Sequence, residues 1–141
     1  MKKVSMLQVP STLKALDDVL NWLEIFKPDI KFPRDWMECQ LALTEAFTNA
    51  VIHAHQDLPD STPIEIRICL QESQVDLSIW DRGKAFDLPA YLATLPQKVN
   101  TQLEGGRGLF LIKAVASKID YVQDDQGRNG LIISKKLNPG P

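Results

Sequence analysis

Three short segments hold residue types at spacings that could do chemistry. The first is Glu45-Ala46-Phe47-Thr48-Asn49-Ala50-Val51-Ile52-His53-Ala54, in which Glu45, Asn49 and His53 recur every fourth residue. At ~100° per residue on a helix they fall within a sector of about 80°, so a carboxylate, a carboxamide and an imidazole share one face. Leu43, Phe47, Ala50 and Ala54 take the opposite face as core positions. A solvated stripe is one reading of the polar face. Against it, the stripe is not rich in Lys and Glu, and Leu41 and Ile52 flank it, which points to partial burial.

The second segment, Trp80-Asp81-Arg82-Gly83, puts a carboxylate at a strand end beside a glycine that lets backbone and ligand approach closely. Asp81 there is either a turn cap or a reader of adenine, whose exocyclic amine can donate to a carboxylate where guanine offers a carbonyl. In the third segment, Glu104-Gly105-Gly106-Arg107-Gly108-Leu109, three glycines stand at a helix entrance and free backbone amides to face an anion. Alone, such a loop is equally a flexible hinge. The chain has no Gly-x-x-x-x-Gly-Lys-Ser/Thr element and no His-Arg-Asp loop, so neither the P-loop nor the ordinary protein-kinase route is available.

These segments need elements to position them. Val4 and Met6 alternate with polar neighbours as a short opening strand. Pro10 and Ser11 read as the start of a helix with apolar residues at Leu13, Leu16, Leu20 and Leu23. Pro33 and Asp35 open a longer helix through Trp36, Cys39, Leu43, Phe47 and Val51 to about His55. Alternation at Ile64, Ile66, Ile68 and Leu70, then at Val75, Leu77 and Ile79, predicts a β-hairpin with one buried face. A glycine- and proline-punctuated stretch follows, with the spacing of a lid over about 84–104. Leu109, Ile112, Val115 and Ala116 mark a helix directly behind the glycines, and strands are expected at 118–123 and 131–137 around the turn-rich run 124–130. The order predicts an α+β fold, a two-layer sandwich with helices on one face of a mostly antiparallel mixed sheet. One domain over 1–141 is expected, with a frayed tail at about 138–141.

Composition narrows the classes further. A net charge of −2 without long runs of one sign does not point to nucleic acid or an anionic membrane as the main partner, and neither is expected. Pro10 interrupts the N-terminus before a signal-length apolar run, and no stretch reaches the ~18 apolar residues of a spanning helix, so a cytoplasmic location is expected. Cys39 and Cys69 lie far apart without a Cys-x-x-Cys pair, which reads as two free thiols.

Taken together and in order, the segments resemble a known family. Residues 45–54 are similar to its N box, Asp81-Arg82-Gly83-Lys84-Ala85-Phe86-Asp87 to its first glycine box and Gly105-Gly106-Arg107-Gly108-Leu109-Phe110-Leu111-Ile112 to its second. The family is the anti-sigma-factor serine/threonine kinases, within the Bergerat-fold ATPases of the histidine-kinase and gyrase group, and the likeness spans roughly residues 5–137. The resemblance implies ATP and Mg²⁺ as cofactors, with Mg²⁺ on Asn49, Glu45 as general base, Asp81 and Gly83 at the adenine, and Gly105, Gly106, Arg107 and Gly108 at the phosphates. His53 matches a family position and is read as packing behind the site. Two positions depart from the pattern: Ala85 stands where a second glycine is usual, and Gly130-Leu131 where relatives often carry Gly-Thr.

The resemblance implies a kinase that phosphorylates a small antagonist protein and sequesters a sigma factor or similar regulator, acting as a homodimer. A second reading is a partner-switching module in which ATP orders the interface without turnover. A third, the detached ATP-binding domain of a histidine kinase, fits less well because no phosphoacceptor helix pair is appended.

Overall fold

The computed structural model describes residues 2–85 and 106–139, with the backbone alone at 106 and 107. Five strands, β1 (Lys2–Pro10), β2 (Pro63–Gln71), β3 (Gln74–Asp81), β4 (Lys118–Gln123) and β5 (Asn129–Lys136), form one sheet in the order β1-β2-β3-β5-β4. Every neighbouring pair is antiparallel. The helices are α1 (Leu16–Leu23), α2 (Pro33–Asn49) and α3 (Gly106–Val115). This is the α+β architecture the order of elements predicts, with the sheet antiparallel throughout the described residues rather than mixed.

The period-2 pattern decides which sheet face the helices cover. Ile64, Ile66, Ile68 and Leu70 of β2 and Val75, Leu77 and Ile79 of β3 are all 2% exposed or less, and alternation puts them on one face. Against them lie Val19 and Leu23 of α1, Leu43 and Phe47 of α2, and Ile112 of α3, each fully buried. Each such side chain contributes roughly 1.5–3 kcal/mol of hydrophobic stabilisation, which holds the helix layer to the sheet. Trp22 also donates through Nε1 to Ser5 Oγ at 3.2 Å, docking α1 on the edge strand.

Three local expectations are corrected. The first helical segment is capped by Thr12 rather than Ser11: its Oγ1 accepts from the Ala15 amide at 3.3 Å, and a 3₁₀ turn, Leu13–Ala15, precedes α1. Leu13 is therefore exposed, and the buried stripe runs through Ala15, Val19, Trp22, Leu23 and Phe26. At the other end, Asn138 is not frayed. Its backbone amide donates to Asp35 Oδ2 at 2.7 Å and its side-chain nitrogen to Oδ1 at 3.2 Å, tying the chain to the first turn of α2. Lys135 approaches the same carboxylate at 3.6 Å and Glu38 at 3.3 Å.

Cys39 and Cys69 are free thiols. Burial pushes the Cys39 thiol up to about 12, so it stays protonated and behaves as a small core residue. No helix among the described residues is long and apolar enough to cross a membrane.

Candidate functional site

Two polar clusters lie along the C-terminal half of α2. The first joins Glu45 and Asn49 to the opening of α3. Leu109 and Ile112 bury the inner face of α3 against the core, which brings its first turn over the polar face of α2. The approach is close: a Cβ built on Gly108 would stand 3.0 Å from both Asn49 side-chain atoms, Oδ1 and Nδ2, and 3.2 Å from Glu45 Oε2. Glycine at 108 thus keeps open a cradle bounded by a carboxamide and a carboxylate. Glu45 and Asn49 are both half-buried, as the flanking Leu41 implied. At the mouth of this cradle, the first amides of a helix lack intrahelical partners and carry the positive end of its dipole.

His53 does not join this face. After Asn49 the helix widens into a π-helical turn, Ala50–Ala54, whose closing bond runs from the His55 amide to the Ala50 carbonyl at 2.9 Å. The wider turn breaks the ~100° spacing, so the third member of the polar series swings out to solvent. His53 is exposed, which corrects its reading as a packing residue behind the site. Ile52 is exposed for the same reason.

His55 is the buried imidazole, and it belongs to the second cluster. Its Nε2 accepts from the Arg82 amide at 2.8 Å, so the neutral ring carries its proton on Nδ1, which is buried without a partner among the described residues. Burial lowers its pKa; the negative charge of Asp81 opposes that shift and the positive charge of Arg82 adds to it. The π-helical turn also presents the Ala54 carbonyl to Gly83, where a built Cβ would lie 2.1 Å from that oxygen. Only glycine fits at 83.

Asp81 ends β3 and is buried. Its Oδ1 accepts from the Gly83 amide at 2.9 Å and from Asn129 Nδ2 at 3.0 Å. Asn129, fully buried, also donates to the Gly83 carbonyl at 2.7 Å. Asp81 is thus a turn cap, one of its two open readings, but with one oxygen alone; Oδ2 accepts no hydrogen bond among the described residues. Sequence reasoning missed His55 and Asn129. His55 stands out of phase with the four-residue spacing, and Asn129 sits in a turn-rich run that meets Asp81 only through the β3–β5 register.

Of the remaining candidates, Gly106 and Arg107 open α3 beside Gly108, while Gly105 and nearly all of the expected lid lie outside the described residues. Ala85 does not require glycine's conformational range, since no described residue other than glycine has positive φ. Leu131 packs against the core from the same face of β5 as Asn129.

The sequence pattern of the histidine kinase-like ATPase domain matches residues 8–135. The serine-protein kinase RsbW of Oceanobacillus iheyensis is 38% identical over 87 residues, 58% of this chain and 54% of that one. RsbW of Bacillus licheniformis is 31% identical over 98 residues, covering 66% and 60%. The chain therefore spans less than two thirds of the length of these curated relatives. Among solved structures, the RsbU and RsbW domains of a Mycobacterium tuberculosis protein superpose with a TM-score of 0.65 at 18% identity, covering 96% of this chain and 32% of that one. The SiaB–SiaC complex of Pseudomonas aeruginosa gives 0.64 at 13% identity, covering 94% and 89%. At those identities the likeness is one of fold.

Proposed function

The chain belongs to the histidine kinase-like ATPase domain family, and from that premise we propose that it is an ATP-dependent serine/threonine protein kinase of the anti-sigma-factor type. Its substrate is a small antagonist protein, and its second partner a sigma factor or similar regulator. The curated relatives, serine-protein kinases of 28–38% identity, support the reaction class. The observation that carries the reading is the cradle at Gly108, where a glycine faces Asn49 and Glu45 across the entrance of α3.

The residues of the cradle fit Mg-ATP. Asn49 would hold Mg²⁺ through its carboxamide oxygen, a hard ligand for a hard cation, and the bound ion would neutralise phosphate charge. Glu45 lies one helical turn away and accepts the proton of the attacking serine or threonine hydroxyl. The amides of Gly106, Arg107 and Gly108, with Gly105 before them, receive the phosphates at the helix entrance. Asp81 accepts the adenine amine, and Gly83 lets the base approach the backbone. The protein acts as a homodimer, joined through the sheet face opposite the helices.

Glu45 and Asn49 should fail differently. Glu45→Ala removes a proton acceptor needed only as the hydroxyl attacks, so phosphoryl transfer falls by ~10² to 10⁴ while ATP affinity stays near wild type. Asn49→Ala weakens Mg-ATP binding and transfer together. Calorimetric titration and mass spectrometry of the antagonist after incubation with Mg-ATP measure both. Transfer as fast without Glu45 as with it would remove the base from this residue. A wild type that binds Mg-ATP and its partner yet leaves no phosphoserine or phosphothreonine would mark the non-catalytic partner-switching module instead.

A further inference from the structure

Asn129, the first residue of β5, is tied more tightly than the end of a strand needs to be. It is 0% exposed and stands opposite Asp81 in the β3–β5 register. The Asp81 carboxylate and the Gly83 carbonyl can only accept, which fixes the end of the carboxamide facing them as the NH₂, and on its other side Oδ1 accepts from Gln123 Nε2 at 3.0 Å. That NH₂ then donates to Asp81 Oδ1 at 3.0 Å and to the Gly83 carbonyl at 2.7 Å. With the Gly83 amide on the same Asp81 oxygen at 2.9 Å, Asp81, Gly83 and Asn129 close a ring of hydrogen bonds.

We propose that Asn129 is a positioning residue for nucleobase recognition: it commits Asp81 Oδ1 to the protein and so aims Oδ2 at the exocyclic amine of the base. This rests on the reading of Asp81 as the adenine acceptor. A carboxylate is roughly two-fold about its last torsion and can offer either oxygen. Two donors on Oδ1 remove that freedom, and the remaining oxygen stands ready for an N–H donor without reorganisation. A carboxamide suits the task, because one nitrogen carries both donors and the oxygen remains to be anchored by Gln123. A serine or threonine hydroxyl has one proton and cannot bridge Asp81 and Gly83 at once.

The test compares ATP with purine riboside triphosphate, the same nucleotide without the amine, by calorimetric titration with Mg²⁺. Wild type is expected to bind ATP about tenfold tighter, the size of one hydrogen bond to a charged group. In Asn129→Ala the advantage should shrink toward one, through weaker ATP binding, while the amine-free nucleotide binds much as before. A purely structural role would weaken both nucleotides equally and leave their ratio intact. Either that result or an unchanged ratio overturns the proposal. Should Asn129→Ala fail to fold, Gln123→Ala, at an exposed position, releases the anchor of the carboxamide; it should lower the ratio in the same direction, and an unchanged ratio counts against the proposal as fully. A wild type that binds the two nucleotides equally removes the adenine reading of Asp81 itself, and is seen before any variant is made.

Discussion

Gly108 packs against the two polar side chains of α2 on which the site depends. The atoms nearest its missing Cβ are ends of side chains, the Asn49 carboxamide and the Glu45 carboxylate, which can shift by a few tenths of an ångström. Gly108→Ala should therefore fold, and alanine's helix propensity offsets the crowding by up to ~1 kcal/mol. Function should suffer instead. Displacing Asn49 is expected to weaken Mg-ATP binding by roughly tenfold, the equivalent of about one lost ligand contact; an unchanged melting temperature beside reduced affinity is the outcome that fits, and unchanged affinity would detach Gly108 from the site. Gly83 is the contrast, since its neighbour is the Ala54 backbone carbonyl at 2.1 Å, which cannot turn aside. Both glycines were legible in the sequence as glycines at a strand end and a helix entrance. The atoms they accommodate were not, because each lies on an element distant in the chain.

The elements explain why the four-residue series in α2 held for Glu45 and Asn49 and failed at His53. Periodicity assumes a uniform turn, and the π-helical turn Ala50–Ala54 inserts a change of phase that no residue type announces. The same turn buries His55 against Arg82. Because burial lowers its pKa below the ordinary value of about 6.5, the unfolded chain takes up a proton on acidification that the folded chain resists. Stability is thus full above that value and is lost as pH falls through it. Urea unfolding of wild type and His55→Gln at about pH 7.5 and 5.5 should show a smaller loss in the variant, over a range in which Asp124, whose pKa is also lowered, does not titrate. Equal losses would mean that another group carries the dependence. The start of α2 makes a different demand. Asp35 is 2% exposed and serves both Asn138 and Lys135, so Asp35→Ala leaves a buried cation with the Glu38 carboxylate and the Val115 carbonyl. A loss of ~3 kcal/mol in urea unfolding is expected, at the low end for a broken buried pair because Glu38 remains. ATP affinity of the folded fraction should be unaffected, as this pair lies at the opposite end of α2 from the site. Sequence spacing marked Asp35 as a helix opener. Its partners, Lys135 of β5 and Asn138 just beyond that strand, are distant in the chain and could not be read from local pattern.

At the scale of the whole molecule, the described residues put helices on one face of the sheet and none on the other, and the second is where partnership must be argued. Its centre is already covered: Trp80 lies under the guanidinium groups of Arg67, 4.6 Å from the ring centroid, and Arg128, at 5.8 Å, while Glu65 pairs with both arginines. Exposed apolar side chains on this face lie at both edges, Val122 of β4 at 39% and, more fully exposed on β1, Val4 at 68% and Met6 at 59%. Alternation puts both β1 residues on this face, since Leu7 and Val9 turn to the core. The outer edge of β1 is a poor place to add another strand, with Lys2 and Lys3 at its start and Pro10 at its end. A homodimer would therefore form by stacking faces near β1, leaving edge pairing unused. Met6→Glu places a charge at the middle of that contact without touching the core, and is expected to convert a dimer to monomer in light scattering at micromolar concentration. ATP affinity should stay at the wild-type value, because α2, α3 and Asp81, in phase with Ile79 on β3, lie on the other face. A dimer that survives both Met6→Glu and Val4→Glu would move the contact away from β1, and a wild type that is monomeric at this concentration would leave the nucleotide site standing without the dimer.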